Sequence, residues 1–572
     1  MSFVANSSTN IVAASARLRV FVWILALSVG LMVGIRSPAT AEADDDRNDN
    51  ERQMPDGVVF TVTSAAQLER VPRNARQIVL SRTVDDLPIA AAERLGSLEH
   101  LDVRHAKSDE FTEAYQRGLA VLLKVPSLRT LTVRSMPLMK SLGEPALAAS
   151  HITSVTVKLC SLDPDDVNWL RNVQRLESLT FFHCTLSSSR SATALSELTG
   201  IKTLNISDGW TDRPNGPGIH NAALLALIQS NRDTLVNVSI VGMNHHVDDA
   251  VLQRIRNCKN LKALTLPDQA TFTAKAIESA LRRMSLERLE LRMVFADSEA
   301  EGAERVGEVL VNSPHLIACE LRDVPDGTAY LPKLMCKAGL AEFRLVRSRW
   351  PRNEMRKRIK EVQPLSLTRI SLREVTDIDD TFAQYCGRAK NLDYIELDAA
   401  STTADYELYE AIMQATKASS MILKDVELSY KHIGALSEAV PGIKRLVLSG
   451  LRDSMAVDTV EQMGWDLQVL TATDVPLDVL SSIVGSGRST EQVTLRECDI
   501  SKELIEGVAA QQNLISLTIA DCHLVVTVDE FIMNVKKAKS LATLDVRGVS
   551  NLDESDVEKL RKECPDLYVL HN

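Results

Sequence analysis

The sequence predicts an α/β fold in which short parallel strands and helices alternate along a right-handed solenoid. One pattern (apolar, two variable, apolar, one variable, apolar) returns about twenty times, at a mean spacing of roughly 26 residues. Only 4% of the 572 residues are aromatic, which favours many thin layers over one thick core. We therefore expect a concave parallel sheet on one side of the solenoid and convex helices on the other.

Composition and charge exclude two classes of protein. Hydrophobic residues make up 45% of the chain and charged residues 25%, so the chain can bury a large core and is not disordered as a whole. The formal net charge is −11, whereas a nucleic-acid-binding protein usually carries a basic domain or stripe. We expect no nucleic-acid partner and no cofactor.

The N-terminal 41 residues have the features of a secretory signal peptide. Arg17 and Arg19 precede an apolar run at Val20–Ile35, and Ala39-Thr40-Ala41 provides a small-x-small cleavage pattern. We predict cleavage after Ala41. The alternative is an uncleaved membrane anchor, because Arg36 follows the run directly. In both cases the protein is exported, to the periplasm, the cell surface or the medium.

An acidic linker is predicted at residues 42–56, where the letters EADDDRNDNERQ include no large apolar residue. Residues 57–572 are expected to form one repeat array. Strand motifs start at Leu98, Leu128, Ile201, Leu261, Leu286, Leu392, Ile443, Leu514 and Leu541. Each motif alternates like a strand, and segments between motifs, such as those at Val251, Ala276 and Asp556, have the spacing of helices.

Cysteines mark the point at which several strand motifs end. Cys160, Cys184, Cys498 and Cys522 each lie three residues after the last apolar position, and Cys258 and Cys564 precede the next strand. In these features residues 75–572 resemble the leucine-rich-repeat family, in particular its cysteine-containing and ribonuclease-inhibitor-like branches. The resemblance implies a curved surface that binds other molecules.

The odd number of cysteines, nine, favours buried thiols between layers over a disulfide framework. We expect Cys160 to stack on Cys184, and Cys498 on Cys522, in adjacent coils. A disulfide within either pair is the alternative.

Two other segments invite a functional interpretation. His245-His246-Val247-Asp248-Asp249 could bind a metal, but acidic residues recur at this position before helices, as at Asp163 and Asp553, so we predict helix capping and no metal. The stretch Asp208–His220 is rich in Gly and Pro, and we predict an irregular surface insertion.

The alternation of each strand identifies the side chains on the concave face. The middle outward position holds Asp102, Thr132, Thr156, Thr180, Asn205, Thr471, Thr494 and Thr518. Arg104, Arg134 and Lys158, here called the basic ladder, occupy one position after the strand in successive repeats. Like charges about 4.8 Å apart repel, so this ladder is a candidate partner-binding site.

A second candidate is the carboxylate cluster, defined as Glu396, Asp398, Asp425 and Glu427 on two strands expected to be neighbours. Arg373 should flank Asp398 and Arg445 should flank Asp425, which leaves the glutamates unpaired. The alternative for both candidates is a solvated, partly paired surface.

The sequence contains no combination of nucleophile, base and orienting group and no nucleotide-binding or HExxH motif. We predict a non-catalytic exported scaffold that binds a protein or cell-envelope ligand on its concave face. The alternative is a membrane-tethered structural envelope protein, with membrane contact only if the N-terminal segment is uncleaved. A substrate-receptor module or an enzyme is less favoured.

Overall fold

A computed structural model describes residues 59–571 with gaps at 63, 82–83, 85, 105–111, 135–149, 187, 208–216, 243–246, 269–270, 298–299, 359, 361–365, 401–411, 413–416, 427–429, 452–464, 487–488 and 566. The predicted signal peptide and acidic linker lie outside the described residues. The chain divides into two compact units, Met1–Cys160 with Asn168–Leu176, and Ser161–Val167 with Glu177–Asn572. The expectation of one continuous array stays a prediction.

The first unit contains a parallel sheet of five described strands, each paired with the next along the chain. These strands are β1 (Val59–Val62), β2 (Gln77–Leu80), β3 (His100–Val103), β4 (Thr130–Val133) and β5 (Ser154–Lys158). Leu101, Leu131 and Val155 lie in one register row and are at most 1% exposed, so the inward apolar positions form a continuous core.

The second unit repeats this arrangement over sixteen described sheet strands, and two pairs of two-residue strands lie beside the sheet. The strands of both kinds are β6 (Ser161–Leu162), β7 (Ser178–Phe182), β8 (Thr185–Leu186), β9 (Thr203–Ser207), β10 (Asn237–Val241), β11 (Ala263–Thr265), β12 (Arg288–Arg292), β13 (Ala318–Arg322), β14 (Glu342–Val346), β15 (Arg369–Arg373), β16 (Tyr394–Asp398), β17 (Ser420–Lys424), β18 (Arg445–Ser449), β19 (Val469–Thr473), β20 (Gln492–Arg496), β21 (Asp499–Ile500), β22 (Ser516–Ala520), β23 (His523–Leu524), β24 (Thr543–Asp545) and β25 (Tyr568–Leu570). The short pairs are β6 with β8 and β21 with β23, and they too are parallel.

Helices follow most of the sheet strands. Their bounds are α1 (Ala65–Arg70), α2 (Ile89–Glu93), α3 (Glu113–Leu122), α4 (Pro164–Arg171), α5 (Ser189–Leu195), α6 (Pro217–Ser230), α7 (Asp249–Ile255), α8 (Ala274–Leu281), α9 (Ala300–Val311), α10 (Tyr330–Met335), α11 (Arg352–Arg358), α12 (Asp380–Arg388), α13 (Tyr430–Ala439), α14 (Leu477–Ser486), α15 (Lys502–Ala509), α16 (Val528–Val535) and α17 (Glu554–Glu563). The succession of strand, turn and helix in most of the described repeats, with every described sheet pairing parallel, confirms the predicted leucine-rich-repeat fold class. Among the described helices, none has both the length and the apolar composition needed to cross a bilayer.

The residue directly after a strand commonly adopts a left-handed backbone. Leu159, Asp323, Ala399 and Glu497 have φ between 48° and 57° at this position, and Gly450 has φ of 59°. Each of these non-glycine residues in the second unit donates its N–H to the last residue of the following strand, as Ala399 does to the Lys424 carbonyl at 2.8 Å. This turn therefore ends the strand while it extends the ladder of hydrogen bonds.

The turn explains the cysteine positions. One residue after the left-handed residue, each thiol donates to the carbonyl of the last strand residue: Cys160 to Lys158 at 3.1 Å and Cys498 to Arg496 at 3.0 Å. Cys184 and Cys522 make the same contact at 3.4 Å. All four side chains are buried, as predicted, and burial raises the pKa of the Cys522 thiol to about 12.

Acidic residues before helices act as caps, as predicted. Asp248 accepts from the Val251 N–H at 3.0 Å, and Asp553 accepts from the Asp556 N–H at the same distance. Asp163 and Asp166 cap reciprocally, each accepting from the other's N–H. These contacts satisfy N–H groups that the first turn of a helix leaves without a partner. His245 and His246 lie outside the described residues.

The prediction of irregular structure over Asp208–His220 is wrong for its last four residues. Helix α6 begins at Pro217 and continues to Ser230. Proline is well tolerated at the first helical position, because its missing N–H would have no intrahelical acceptor there. Residues 208–216 lie outside the described part of the chain.

Candidate functional site

The outward side chains of each sheet form a surface, here called the open face, opposite the apolar core. The register confirms the predicted middle column in the first unit, where Asp102, Thr132 and Thr156 are direct neighbours. In the second unit Thr180 pairs with Asn205, and Thr471, Thr494 and Thr518 follow one another. Polar side chains on this face are therefore aligned across the strands.

The basic ladder lies in one column of the first unit, as the repeat spacing predicts. Arg104 follows β3, Arg134 follows β4, and Lys158 ends β5. Asp102 reaches this column from the middle position: its Oδ2 accepts from Arg104 Nε at 3.1 Å, and its Oδ1 lies 4.0 Å from Arg134 Nε. Sequence reasoning placed Asp102 on this face but did not recognise that it pairs with the ladder.

The pKa of Lys158 is affected by the other charged residues of the ladder. Its pKa lies below the ordinary lysine value chiefly because burial disfavours the ammonium. The charge of Asp102 opposes this shift, and the weaker repulsions of Arg134 and Arg104 add to it. The two arginines are thus close enough to disfavour the charged form of Lys158.

The carboxylate cluster is only partly arranged as predicted: Glu396 and Asp425 lie close enough to Asp398 for their charges to raise its pKa, but Asp425 is not on a strand. Strand β17 is Ser420–Lys424, so Asp425 follows the strand in a left-handed turn, and Glu427 lies outside the described residues. The longer spacing before this repeat led to a register error: Lys424, not Asp425, is the neighbour of Asp398. Arg445 is correspondingly opposite Ser420, so the predicted flanking of Asp425 is also wrong.

Glu396 is paired, contrary to the prediction. Its side chain is 2% exposed, and its Oε1 accepts from Arg373 Nη2 at 2.7 Å. Its Oε2 accepts from Ser371 Oγ at 2.9 Å and from the Tyr394 hydroxyl at 3.3 Å. Burial alone would raise the pKa of Glu396, but the charge and hydrogen bonds of Arg373, with the Ser371 bond, lower it below its ordinary value.

Asp398 lies opposite Arg373 in the register, as predicted, but it does not take the close ion pair. Burial raises the pKa of Asp398, and the charges of Lys424 and Arg373 offset this only in part. Two carboxylates separated by one residue therefore have opposite pKa shifts, because Arg373 bonds to Glu396.

A larger group of charges was missed by the sequence analysis. We call it the central ion-pair network, and its members lie on or shortly after strands β11–β14: Asp268, Glu290, Arg292, Glu320, Arg322, Asp323, Arg344 and Arg347. The members that lie on strands project from the open face. They occupy the same outward strand positions that the sequence predicts for other repeats. The remaining members follow a strand: Asp268, Asp323 and Arg347. The sequence does contain a signal for this network, because the middle strand position holds a charged residue in three consecutive repeats: Glu290, Glu320 and Arg344.

Arg322 is the centre of this network. Its guanidinium donates to Asp268 Oδ1 at 2.9 Å, to Glu290 Oε2 at 3.1 Å and to Glu320 Oε1 at 2.7 Å. Burial lowers the pKa of Arg322, but the charges and hydrogen bonds of Glu320 and Asp268 raise it by more, so the group stays charged. The planar fork of arginine permits all three bonds at once.

Asp268 connects the network to the loop after β11. It also accepts from Arg347 Nη2 at 2.7 Å, and Arg347 Nε donates to Asp323 at 3.1 Å. Burial raises the pKa of Asp268, but Arg322 and Arg347 lower it more, so the carboxylate is ionised. The loop is thereby joined to residues that follow β13 and β14.

Glu290 and Glu320 are direct neighbours in the sheet and repel each other. The pKa of Glu290 is raised by burial and by the Glu320 charge, against the attraction of Arg322 and Arg344. Arg344 Nη1 lies 3.5 Å from Glu320 and its side chain is 36% exposed, so the network reaches solvent on the open face.

Comparisons with known proteins add little to this description. No family model matches the chain, and no curated protein matches it. Among solved structures, the crystal structure of an internalin from Listeria monocytogenes aligns with 72% of this chain and 88% of its own, with 12% identity and a TM-score of 0.29. So low a TM-score carries no argument, and the fold assignment depends on the strands, helices and register of this chain.

Metal binding is another chemistry that clustered carboxylates can support. Within the ranges that the structure covers, no three His, Cys, Asp or Glu side chains are placed to hold a metal ion. The charged groups of the open face are instead engaged mainly with one another. Their chemistry is that of ion pairing and hydrogen bonding at a surface.

Proposed function

We propose that this protein is a non-catalytic, exported scaffold that binds a protein partner on its open face. The central ion-pair network is the observation that supports this proposal. It fixes four arginines in defined positions, and the side chains of Arg292, Arg344 and Arg347 are 34% to 36% exposed. Arginine is enriched at protein interfaces.

The exposure of Arg288, which lies beside the network on strand β12, also favours recognition over stabilisation. Arg288 is 62% exposed and only 3.7 Å from Glu342, and exposed pairs of this kind contribute about 0–1 kcal/mol to stability. Apolar burial beneath the sheet already supplies the core. Surface charges of this type chiefly determine partner choice and association rate.

Capture of a partner from the protein's own extracellular or periplasmic fraction tests the binding proposal. We expect Arg288→Glu and Arg445→Glu, both exposed on the open face, to reduce capture at least fivefold, because each reverses a charge there. Lys275→Glu is the matched control, since Lys275 is exposed on helix α8.

All three variants should melt within about 1 °C to 2 °C of the parent, since exposed substitutions usually change stability little. Equal capture by the parent and all three variants would exclude the open face of the second unit as the contact surface.

Export is tested by the N-terminus of the natural protein. We expect N-terminal sequencing to begin at Glu42, because the pattern ending at Ala41 suits a signal peptidase. Recovery in the membrane fraction with residues 1–41 retained would support the tethered alternative instead.

A further inference from the structure

We propose that the open face of β19–β24 binds a neutral oligosaccharide chain that lies across the strands. The contact surface is here called the hydroxyl face, and it consists of six outward side chains on β19, β20, β22 and β24: Thr471, Thr473, Thr494, Ser516, Thr518 and Thr543. This inference goes beyond the proposed function, because it assigns a second class of ligand to strands outside the central ion-pair network.

The hydroxyl face has the chemistry of a sugar-binding surface. Thr471, Thr494 and Thr518 are direct neighbours in the register and form its middle column. All six side chains are half-buried, so each keeps contact with solvent. A hydroxyl group both donates and accepts hydrogen bonds. Since the hydroxyl groups of a sugar do the same, the two arrays can pair in either direction.

These hydroxyl groups are available to a ligand. Within the part of the chain that the structure describes, none of the six has a hydrogen-bond partner, and none of the six oxygens is buried. The equivalent column near the start of the second unit differs, because Thr180 accepts from Asn205 Nδ2 at 3.2 Å. Threonine pairs on neighbouring strands often bond to each other as well. A sugar can therefore bind the hydroxyl face without breaking a hydrogen bond within the protein.

The charges beside the hydroxyl face favour a neutral ligand. Asp474, Glu497 and Asp521 are exposed on the turns that follow β19, β20 and β22, and they would repel a polyanionic chain. Arg496 on β20 is exposed and adds one cation. The hydroxyl face itself carries no ionisable side chain, so it has no group to pair with a charged ligand.

The composition of the hydroxyl face also distinguishes it from a protein-binding surface. The residues that dominate the binding energy of protein interfaces are enriched in Trp, Tyr and Arg, whereas Ser, Thr and Val are under-represented. The central ion-pair network offers arginines, and the hydroxyl face offers only serine and threonine. Threonine in a strand is restricted at χ1, so little side-chain freedom is lost when a ligand binds.

The geometry favours a chain of sugars over a single one. Neighbouring strands are about 4.8 Å apart, so the four strands extend over about 14.4 Å. Successive units of an extended sugar chain can thus meet successive strands. Outward residues of one strand, such as Thr471 and Thr473, are about 6.6 Å apart and can bond to opposite edges of one ring. Because a single hydrogen bond contributes little net free energy, several such units are needed for binding.

The probes are cellohexaose and chitohexaose, two neutral hexasaccharides with extended chains, measured by saturation-transfer NMR on the whole protein with the sugar in excess. We expect at least one of them to bind with a Kd of about 1 mM or lower. Thr494→Val should weaken this binding at least threefold, because valine keeps the shape of threonine but removes the hydroxyl group. The triple change of Thr471, Thr494 and Thr518 to Val should weaken it at least tenfold. Raising salt from about 0.05 M to 0.5 M should have little effect, because no ion pair is involved.

Thr180→Val is the matched control, because Thr180 has the same middle position on β7 but its hydroxyl group already accepts from Asn205. It should leave sugar binding unchanged, and all variants should melt like the parent. Equal weakening by Thr180→Val and Thr494→Val would overturn the proposal. So would parent-like binding by the triple variant, or the absence of binding by both probes. Equally tight binding of hexagalacturonate would identify ion pairing as the attraction and would overturn it too.

The result is separable from the test of the proposed function, because no protein partner is used. If a probe binds as expected but Arg288→Glu does not affect partner capture, the hydroxyl face is supported and the protein-binding proposal fails. If capture depends on Arg288 while the triple variant binds the sugars like the parent, the present inference fails and the scaffold proposal stands.

Discussion

Glu396→Ala should destabilise the protein by about 3 kcal/mol, measured by chemical denaturation. Alanine would remove the acceptor for Arg373, Ser371 and Tyr394, and it would leave the partly buried Arg373 without its close ion partner. Loss of one member of a buried pair is costly because the remaining charge is still desolvated. Glu396→Gln should cost less, since its amide oxygen can still accept from the hydroxyl groups.

The exposed pair Glu177–Lys202 provides a matched control. Its atoms are equally close, at 2.7 Å, but the side chains are 50% and 53% exposed. Glu177→Ala should therefore cost at most about 0.5 kcal/mol. Similar losses in Glu177→Ala and Glu396→Ala would contradict the importance that we give to burial.

The effect of Glu396 should also depend on pH. Its pKa is lowered in the folded protein, so its contribution is fully present above the unfolded-state pKa of about 4.3. That contribution is lost as the pH falls through the folded-state pKa. The stability difference between the parent and Glu396→Gln should thus be constant near neutral pH and shrink in acid.

Gly307→Ala should cost about 3 kcal/mol or more, because helix α9 packs against the ring of Tyr330. A Cβ on Gly307 would overlap Tyr330 Cγ, and Tyr330 is fully buried, so the ring cannot turn into solvent. Overpacking of this kind forces the helices apart or the ring from its rotamer. Thermal melting and chemical denaturation would both detect the loss.

Gly485→Ala is the control for Gly307→Ala, since Gly485 also lies in a helix but has no neighbouring atom within 4 Å of the added carbon. It should stabilise the protein by up to about 1 kcal/mol, because alanine has the higher helix propensity. The double variant Gly307→Ala with Tyr330→Leu should recover part of the loss. If Gly307→Ala behaves like Gly485→Ala, the two helices are not packed as closely as the structure indicates.

The fold could be predicted from the sequence because each repeat carries the same local signals. Leu101 and Leu131 illustrate this: their motif spacing predicts two inward positions on neighbouring strands, and the register places them together. Capping residues such as Asp248 were likewise recognisable, since the cap and the N–H that it binds are only three residues apart. Local periodicity therefore determined the correct architecture.

The candidate sites were harder to predict because they depend on register and on side-chain direction. In the repeat of β17, the letters KDVEL at residues 424–428 fit the strand pattern as well as the true strand Ser420–Lys424 does. The predicted strand was therefore placed four residues too late, which put Asp425 on the sheet. The partner of Arg373 could not be read from the register alone, because its flexible side chain reaches Glu396 instead of the directly opposite Asp398. Asp268 was missed because it binds residues 54 and 79 positions away.

The left-handed turn that follows many of the described strands has a consequence for engineering. Ala399 and Glu497 incur a steric cost there that glycine avoids, typically about 1–2 kcal/mol for an L-residue, and the hydrogen bond of this turn uses only the backbone N–H. Four strand spacings, about 19 Å, separate the two positions, which is far enough for their effects to be additive. A more stable form can thus be assembled one turn at a time, provided that Asp323 and Arg347, whose side chains belong to the central ion-pair network, are left unchanged.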